Sequence, residues 1–165
     1  MIQTINIAAI IIFTAYVIYV RVVLEKFPKS LSQSFYDIQE KTGNMNLLFL
    51  LMLATSATTL LVNGYAHYEF DENVPLLAYG GLGIFAVGVF AIFKNKKVTV
   101  FHYIGAVIGF GVSLLSFGFD YSRWELTVAS IIIGGCATVI AKKGTKIFWL
   151  EVSLAYCLIL SLFVV

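Results

Sequence analysis

The sequence predicts an all-α membrane bundle: six transmembrane helices, with a short interfacial helix between the first and second. Three observations carry this. Apolar residues make up 60% of the 165 and charged residues only 12%, against about 45–50% and about 25% in soluble proteins. The charges are gathered between long charge-free runs, and the basic ones recur in alternate connections. The whole chain, 1–165, reads as a single integral membrane domain.

Taken in order, the apolar runs place helices at about 3–23, 46–65, 75–93, 99–118, 124–141 and 147–165. A spanning helix needs about 20 apolar residues, with a range of about 17–25. Backbone groups in hydrocarbon must be satisfied within their own segment, which selects helices over open strands. The first run has neither a basic start nor a small-residue cleavage site, so it is expected to stay as an anchor. The last is broken only by Glu151.

The loops set the orientation. Arg21, Lys26, Lys29 and Lys41 lie between the first two spans, Lys94, Lys96 and Lys97 between the third and fourth, and Lys142, Lys143 and Lys146 between the last two. The opposite loops hold Arg123 beside Glu69, Asp71, Glu72, Asp120 and Glu125. By the positive-inside rule the Lys/Arg-rich loops are cytoplasmic and both termini lie outside, as in a bacterial inner membrane. Tyr65, Tyr68, Tyr121 and Trp124 suit the outer interface, and Tyr103, Phe148 and Trp149 the inner one. Gly80, Gly81, Gly83 and Gly88 in the third span, Gly105, Gly109 and Gly111 in the fourth, and Gly134 and Gly135 in the fifth would let helices approach closely. Cys136 and Cys157 lie at different depths and read as small buried hydrophobes, not as a disulfide.

The long polar passage Glu25–Asn44 predicts the interfacial helix at about 31–42. Pro28 and Ser30 are start signals, Ser30 with Gln33 fits a capping box, as does Ser34 with Asp37, and Gly43 is a stop. Leu31, Phe35 and Ile38 form one apolar stripe, expected to face the acyl chains. The alternative turns Ser32, Ser34 and Tyr36 inward, around a pocket at the cytoplasmic mouth.

Intramembrane polar residues extend that candidate pocket. His102, Glu151 and Arg21 fall at similar depths on the cytoplasmic side and would form a cluster. Glu151 could equally pair with Arg21 or a lysine. A serine nucleophile needs a base within hydrogen-bond reach, and by depth His102 is the candidate. In the outer half Thr55, Thr59 and Asn63 recur every four residues as a polar stripe, for interhelical hydrogen bonds or a water-filled path. His67, Glu69, Asp71 and Glu72 form a solvated acidic loop, with cation binding as its alternative.

The stretch from Pro28 to Tyr36, PKSLSQSFY, resembles a loop of small uncharacterised membrane proteins of bacteria and their phages, which show Pro-Ser-Ile/Leu-Ser-x-Ser-Tyr/Phe-Tyr after a first spanning helix. Lys29 is inserted here after the proline, the match covers under a tenth of the chain, and the resemblance implies no particular activity. Alkaline-ceramidase-like membrane hydrolases hold zinc with several histidines and an Asp beside a Ser. This chain has two histidines, His67 and His102, on opposite sides of the expected topology and no His-x-x-x-His pair. A catalytic zinc site commonly takes three protein ligands, so neither metal nor other cofactor is expected.

The leading functional expectation is a non-enzymatic protein that binds membrane lipid, a protein partner or further copies of itself through its cytoplasmic face. A formal charge of +2 without a basic-aromatic run speaks against nucleic acid. A small oligomeric transporter or channel, using the polar stripe and the glycine-rich helices, is the first alternative. A lipid-modifying enzyme using the serine loop and His102 is the second.

Overall fold

The computed structural model describes residues 2–66, 75–92 and 96–165, with side chains given for all of these except 96–99. Among the described residues the structure is all-helical, without strands. Helix α1 is Ile2–Leu24, α2 Leu31–Thr42, α3 Leu47–Ala66 and α4 Leu76–Ala91. Helix α5 begins as Lys96–Val107, passes through a π-helical turn at Ile108–Val112 and ends as Ser113–Phe119. Helix α6 is Trp124–Ile140 and α7 is Lys146–Ser161, with the chain ending in turns instead of continuing as helix to Val165. By length and composition Ile2–Leu24, Leu47–Ala66 and Val100–Phe119 could each cross a membrane; α4 and α6 are shorter apolar helices.

The long helices form a ring. Helix α1 packs on α3 and α7, α3 on α4, α4 on α5, the last part of α5 on α6, and α6 on α7. Each helix turns one face inward. On α1 that face is Asn6, Ala9, Phe13, Tyr16 and Val20, spaced three and four apart. The core joins these to Phe49, Met52 and Leu60 of α3, Leu77 and Ile84 of α4, and Phe148, Val152 and Leu158 of α7. Outward faces are apolar too: Ile11 and Ile18 on α1, Val107 on α5, and Val139 and Ile140 on α6 are all exposed. Cys136 also stands on the outside of α6, contrary to the expectation that it is buried, because the outer surface there is itself built of Ile and Val.

Helices α4 and α5 meet almost backbone to backbone. A Cβ on Gly83 would lie 2.8 Å from the Gly109 Cα and 2.9 Å from the Gly105 carbonyl oxygen, so only glycine fits. Gly111 and Gly135, by contrast, face open space. At the ring centre a cavity of about 40 Å³ lies among Phe13, Leu53, Leu60, Ile84 and Phe110, with Ser56 on its wall.

Helix α2 closes one end of the ring, packed on α1 and α7. Its stripe does not face outward. Leu31, Phe35 and Ile38 are 6%, 2% and 1% exposed and belong to the core, with the Phe35 ring 5.2 Å from that of Phe49. The physical reason lies in the polar partners that the neighbouring helices offer.

Candidate functional site

Ser30 starts α2 by accepting a hydrogen bond on its side chain from the Gln33 N–H (3.1 Å), and Gly43 ends it in the left-handed region at φ 72°. The Gln33 side chain does not complete a capping box; it donates to Asp37 at 2.6 Å. Between these ends three other helices hold α2.

The first anchor is on α7. The Leu31 N–H, an unpaired first-turn amide, donates to Glu151 Oε2 at 2.6 Å. A carboxylate at a helix N-terminus meets the positive end of the helix dipole. The Phe148 N–H returns a bond to the Lys29 carbonyl at 2.9 Å.

The second anchor is on α1. The Ser34 hydroxyl donates to the Leu31 carbonyl, so the Tyr16 hydroxyl, 2.5 Å away, must donate to Ser34. Tyr16 in turn accepts from Asn46 Nδ2 at 3.3 Å, and Asn46 Oδ1 accepts from the Phe49 N–H at 3.1 Å, capping α3. Tyr16 and Ser34 are fully buried, and this chain leaves neither hydroxyl unpaired. Ser34 is therefore a docking residue, and Asp37 forms no second cap with it.

The third anchor joins α2 to α5. Ser32 Oγ lies 2.5 Å from His102 Nε2, while His102 Nδ1 lies 3.1 Å from the Val87 carbonyl of α4. A carbonyl oxygen only accepts, so the ring hydrogen sits on Nδ1. Nε2 is then the acceptor, and Ser32 donates to it. His102 is 7% exposed and Ser32 half-buried. Tyr36, also half-buried, packs edge-on to Phe35 at 5.3 Å, and burial raises its hydroxyl above the ordinary tyrosine value.

A separate groove of about 650 Å³ opens on the same end, between the end of α1 and the α6–α7 turn. Arg21, Lys26 and Lys142 line it, Glu25 stands at its edge, and Ala137, Ile140, Phe27 and Trp149 form its apolar walls. Glu25 is paired with Lys41 at 3.1 Å. The Arg21 guanidinium lies 6.0 Å from the Phe27 ring centroid, and that ring meets Trp149 edge-on at 4.8 Å.

The structure thus divides the residues expected around one pocket. Ser32 and His102 are brought together, Ser34 is buried in the Tyr16 network, and Glu151 binds backbone instead of Arg21. Arg21 points into the groove, so the His102–Glu151–Arg21 cluster does not form. Shared depth is one coordinate of three, and Arg21 is on the outer side of its helix. Phe148, expected at the inner interface, is wholly buried beside Phe27 at 5.2 Å.

The polar stripe of α3 also divides. Thr55 bonds the Leu51 and Met52 carbonyls of its own helix. Asn63 donates to Asn6 Oδ1 of α1 at 2.7 Å, a fully buried amide pair, while among the described residues the buried Thr59 hydroxyl has no hydrogen-bond partner. His67, Tyr68, Glu69, Asp71 and Glu72, and the side chains of Lys94, Lys96 and Lys97, lie outside the described residues. Sequence reasoning missed Tyr16, Asn46, Asn6 and Val87. Asn46 carried a signal, an Asn directly before an apolar run; Tyr16 and Asn6 are two of several polar groups in α1, and nothing in the sequence sets them apart from Gln3, Thr4, Thr14 or Tyr19. No family model, curated protein or solved structure matches the chain.

Proposed function

We propose that this chain is an integral membrane protein in which α1, α3, α4, α5, α6 and α7 each cross the bilayer, and that it binds an anionic phospholipid in the groove at its cytoplasmic end. The outward Ile, Val and Phe side chains favour hydrocarbon as the surrounding solvent, since water would meet a far larger apolar surface than soluble proteins tolerate. Helices α4 and α6, of 16 and 17 residues, sit at the short end of the spanning range. Tyr and Trp at their ends would anchor them at the interfaces. Both termini then lie outside, with α2 at the cytoplasmic mouth.

The observation that carries lipid binding is the composition of the groove. Three cations surround its opening, and its one acid is already paired with Lys41. Phe27 and Trp149 stand below, and Ala137 and Ile140 offer a wall on which an acyl chain can lie. This is the arrangement expected of a basic headgroup pocket between helices. The surface differs from the one expected from sequence, because the α2 stripe is consumed by the protein core.

Each cation near such a headgroup contributes about 1 kcal/mol, so three amount to roughly a hundredfold in affinity. The test is thermal unfolding in neutral detergent with phosphatidylglycerol or phosphatidylcholine added. Phosphatidylglycerol should stabilise the wild type in proportion to its concentration. The Arg21→Gln/Lys26→Gln/Lys142→Gln variant should lose that response. Equal effects of the two lipids, or an unaltered response in the triple variant, would remove the reading.

A further inference from the structure

We propose that Ser32 and His102 form a nucleophile–base pair that cleaves carboxylic esters presented from the membrane, an activity beyond lipid binding and independent of the Arg21 groove. Four observations converge on Ser32. Its Oγ is 2.5 Å from His102 Nε2, within the reach a general base needs. The Val87 carbonyl fixes the imidazole by accepting from Nδ1–H, which leaves the Nε2 lone pair aimed at the serine. The supporting carbonyl is part of a helix, so the base is held on a rigid element.

The third observation concerns the first turn of α2. The Leu31 N–H is taken by Glu151, the Gln33 N–H by Ser30 Oγ and the Ser34 N–H by the Ser30 carbonyl. Among the described residues the Ser32 N–H has no acceptor, so the nucleophile's own amide is free to hold a developing oxyanion at the positive end of the helix. The fourth is access. Ser32 is only half-buried, and the residues flanking His102, Phe101 and Tyr103, are 55% and 66% exposed, so the outer surface of α5 next to the pair is apolar. Such a surface would favour an ester of a long-chain acid over a water-soluble one.

The chemistry closes without a metal or a redox partner. Ser32 Oγ attacks the ester carbonyl carbon while its proton passes to His102 Nε2. The carbon–oxygen bond to the alcohol then breaks, and the alcohol departs with the proton held on Nε2. Water attacks the acylated Ser32, giving one proton to Nε2, and Ser32 Oγ recovers that proton as the fatty acid leaves. The sum is ester plus water to acid plus alcohol.

The experiment uses the full chain in phosphatidylcholine vesicles and a long-chain alkyl fluorophosphonate, with the adduct located by peptide mass spectrometry. Labelling at Ser32 is expected. Loss of general-base assistance in His102→Gln should slow labelling by about 10²–10⁴-fold. Ser32→Ala should abolish it, and Ser153→Ala should leave it intact. The Arg21→Gln/Lys26→Gln/Lys142→Gln variant should label like wild type, which separates this inference from the groove. Wild-type protein decides the question even if the variants fold badly: helical, monodisperse protein with no adduct at Ser32 would overturn the proposal, as would equal labelling rates in wild type and a folded His102→Gln.

Discussion

Replacing Phe35 by Ala distinguishes a protein-facing α2 stripe from a lipid-facing one. The Phe35 side chain is 2% exposed and its ring lies within 5.3 Å of the Phe49 and Tyr36 rings. Truncating a buried Phe costs about 3–5 kcal/mol, because the transfer energy is lost and the cavity only partly collapses. For a chain of this size each kcal/mol moves the melting temperature by about 2–4 °C, so the expected fall is roughly 6–20 °C. Ile18→Ala is the matched comparison, since Ile18 is 57% exposed on α1 and detergent can fill the space it leaves. That change should cost no more than about 0.5 kcal/mol. Circular dichroism at 222 nm against temperature, with all proteins in one detergent, measures both. Equal melting temperatures for the two variants would refute the seat assigned to α2.

Two further outcomes follow from the same packing. Gly83→Ala should destabilise by about 1–3 kcal/mol, because its Cβ would meet the backbone of Gly105 and Gly109, which cannot rotate away. Gly135→Ala faces open space and should be neutral or gain about 0.5–1 kcal/mol of helix propensity, and melting curves of the pair check this. Asp120 follows the last turn of α5 and accepts from the Leu77 N–H at 3.1 Å, yet burial outweighs that bond and raises its carboxyl above the ordinary 3.8. A raised acid holds its proton more tightly in the folded than in the unfolded chain, so its contribution to stability declines as pH rises from 3.8 through the raised value. Asp120→Asn should flatten that part of the melting-temperature profile against pH; a wild-type profile that climbs relative to the variant over this range contradicts the assignment.

Local rules carried much of the helical character. Ser30 and Gly43 mark the two ends of α2 because a cap needs only its own backbone neighbours, and charge-free runs specify helix without reference to any partner. What the stripe of α2 faces is a different kind of question. Leu31, Phe35 and Ile38 share a face by their spacing, and that face suits acyl chains or a protein core equally well. The choice was made by Tyr16, His102 and Glu151, the last of them 120 residues from its partner Leu31. Such pairings are set by how helices rotate about their axes, which hydropathy leaves open. The same gap explains the missing cluster: Arg21 shared a depth with His102 and Glu151 but faced away from them. It also explains Asn6 and Asn63: the polar stripe marked Asn63 as a candidate for an interhelical bond, but its partner is defined only when α1 and α3 lie side by side. The π-helical turn at Ile108–Val112 falls where Gly109 meets Gly83, a close approach the glycines permit but do not date to any one register.

In the proposed arrangement the chain crosses hydrocarbon six times, with α2 and the cationic groove on the cytoplasmic side. Cysteine accessibility in intact cells tests this most directly, using a chain with Cys136 and Cys157 replaced by Ala and a membrane-impermeant maleimide. A cysteine at Arg123 should react from outside, whereas cysteines at Lys26 or Lys143 should react only after the cells are opened. Labelling of Lys26→Cys or Lys143→Cys in sealed cells, with Arg123→Cys protected, would contradict it.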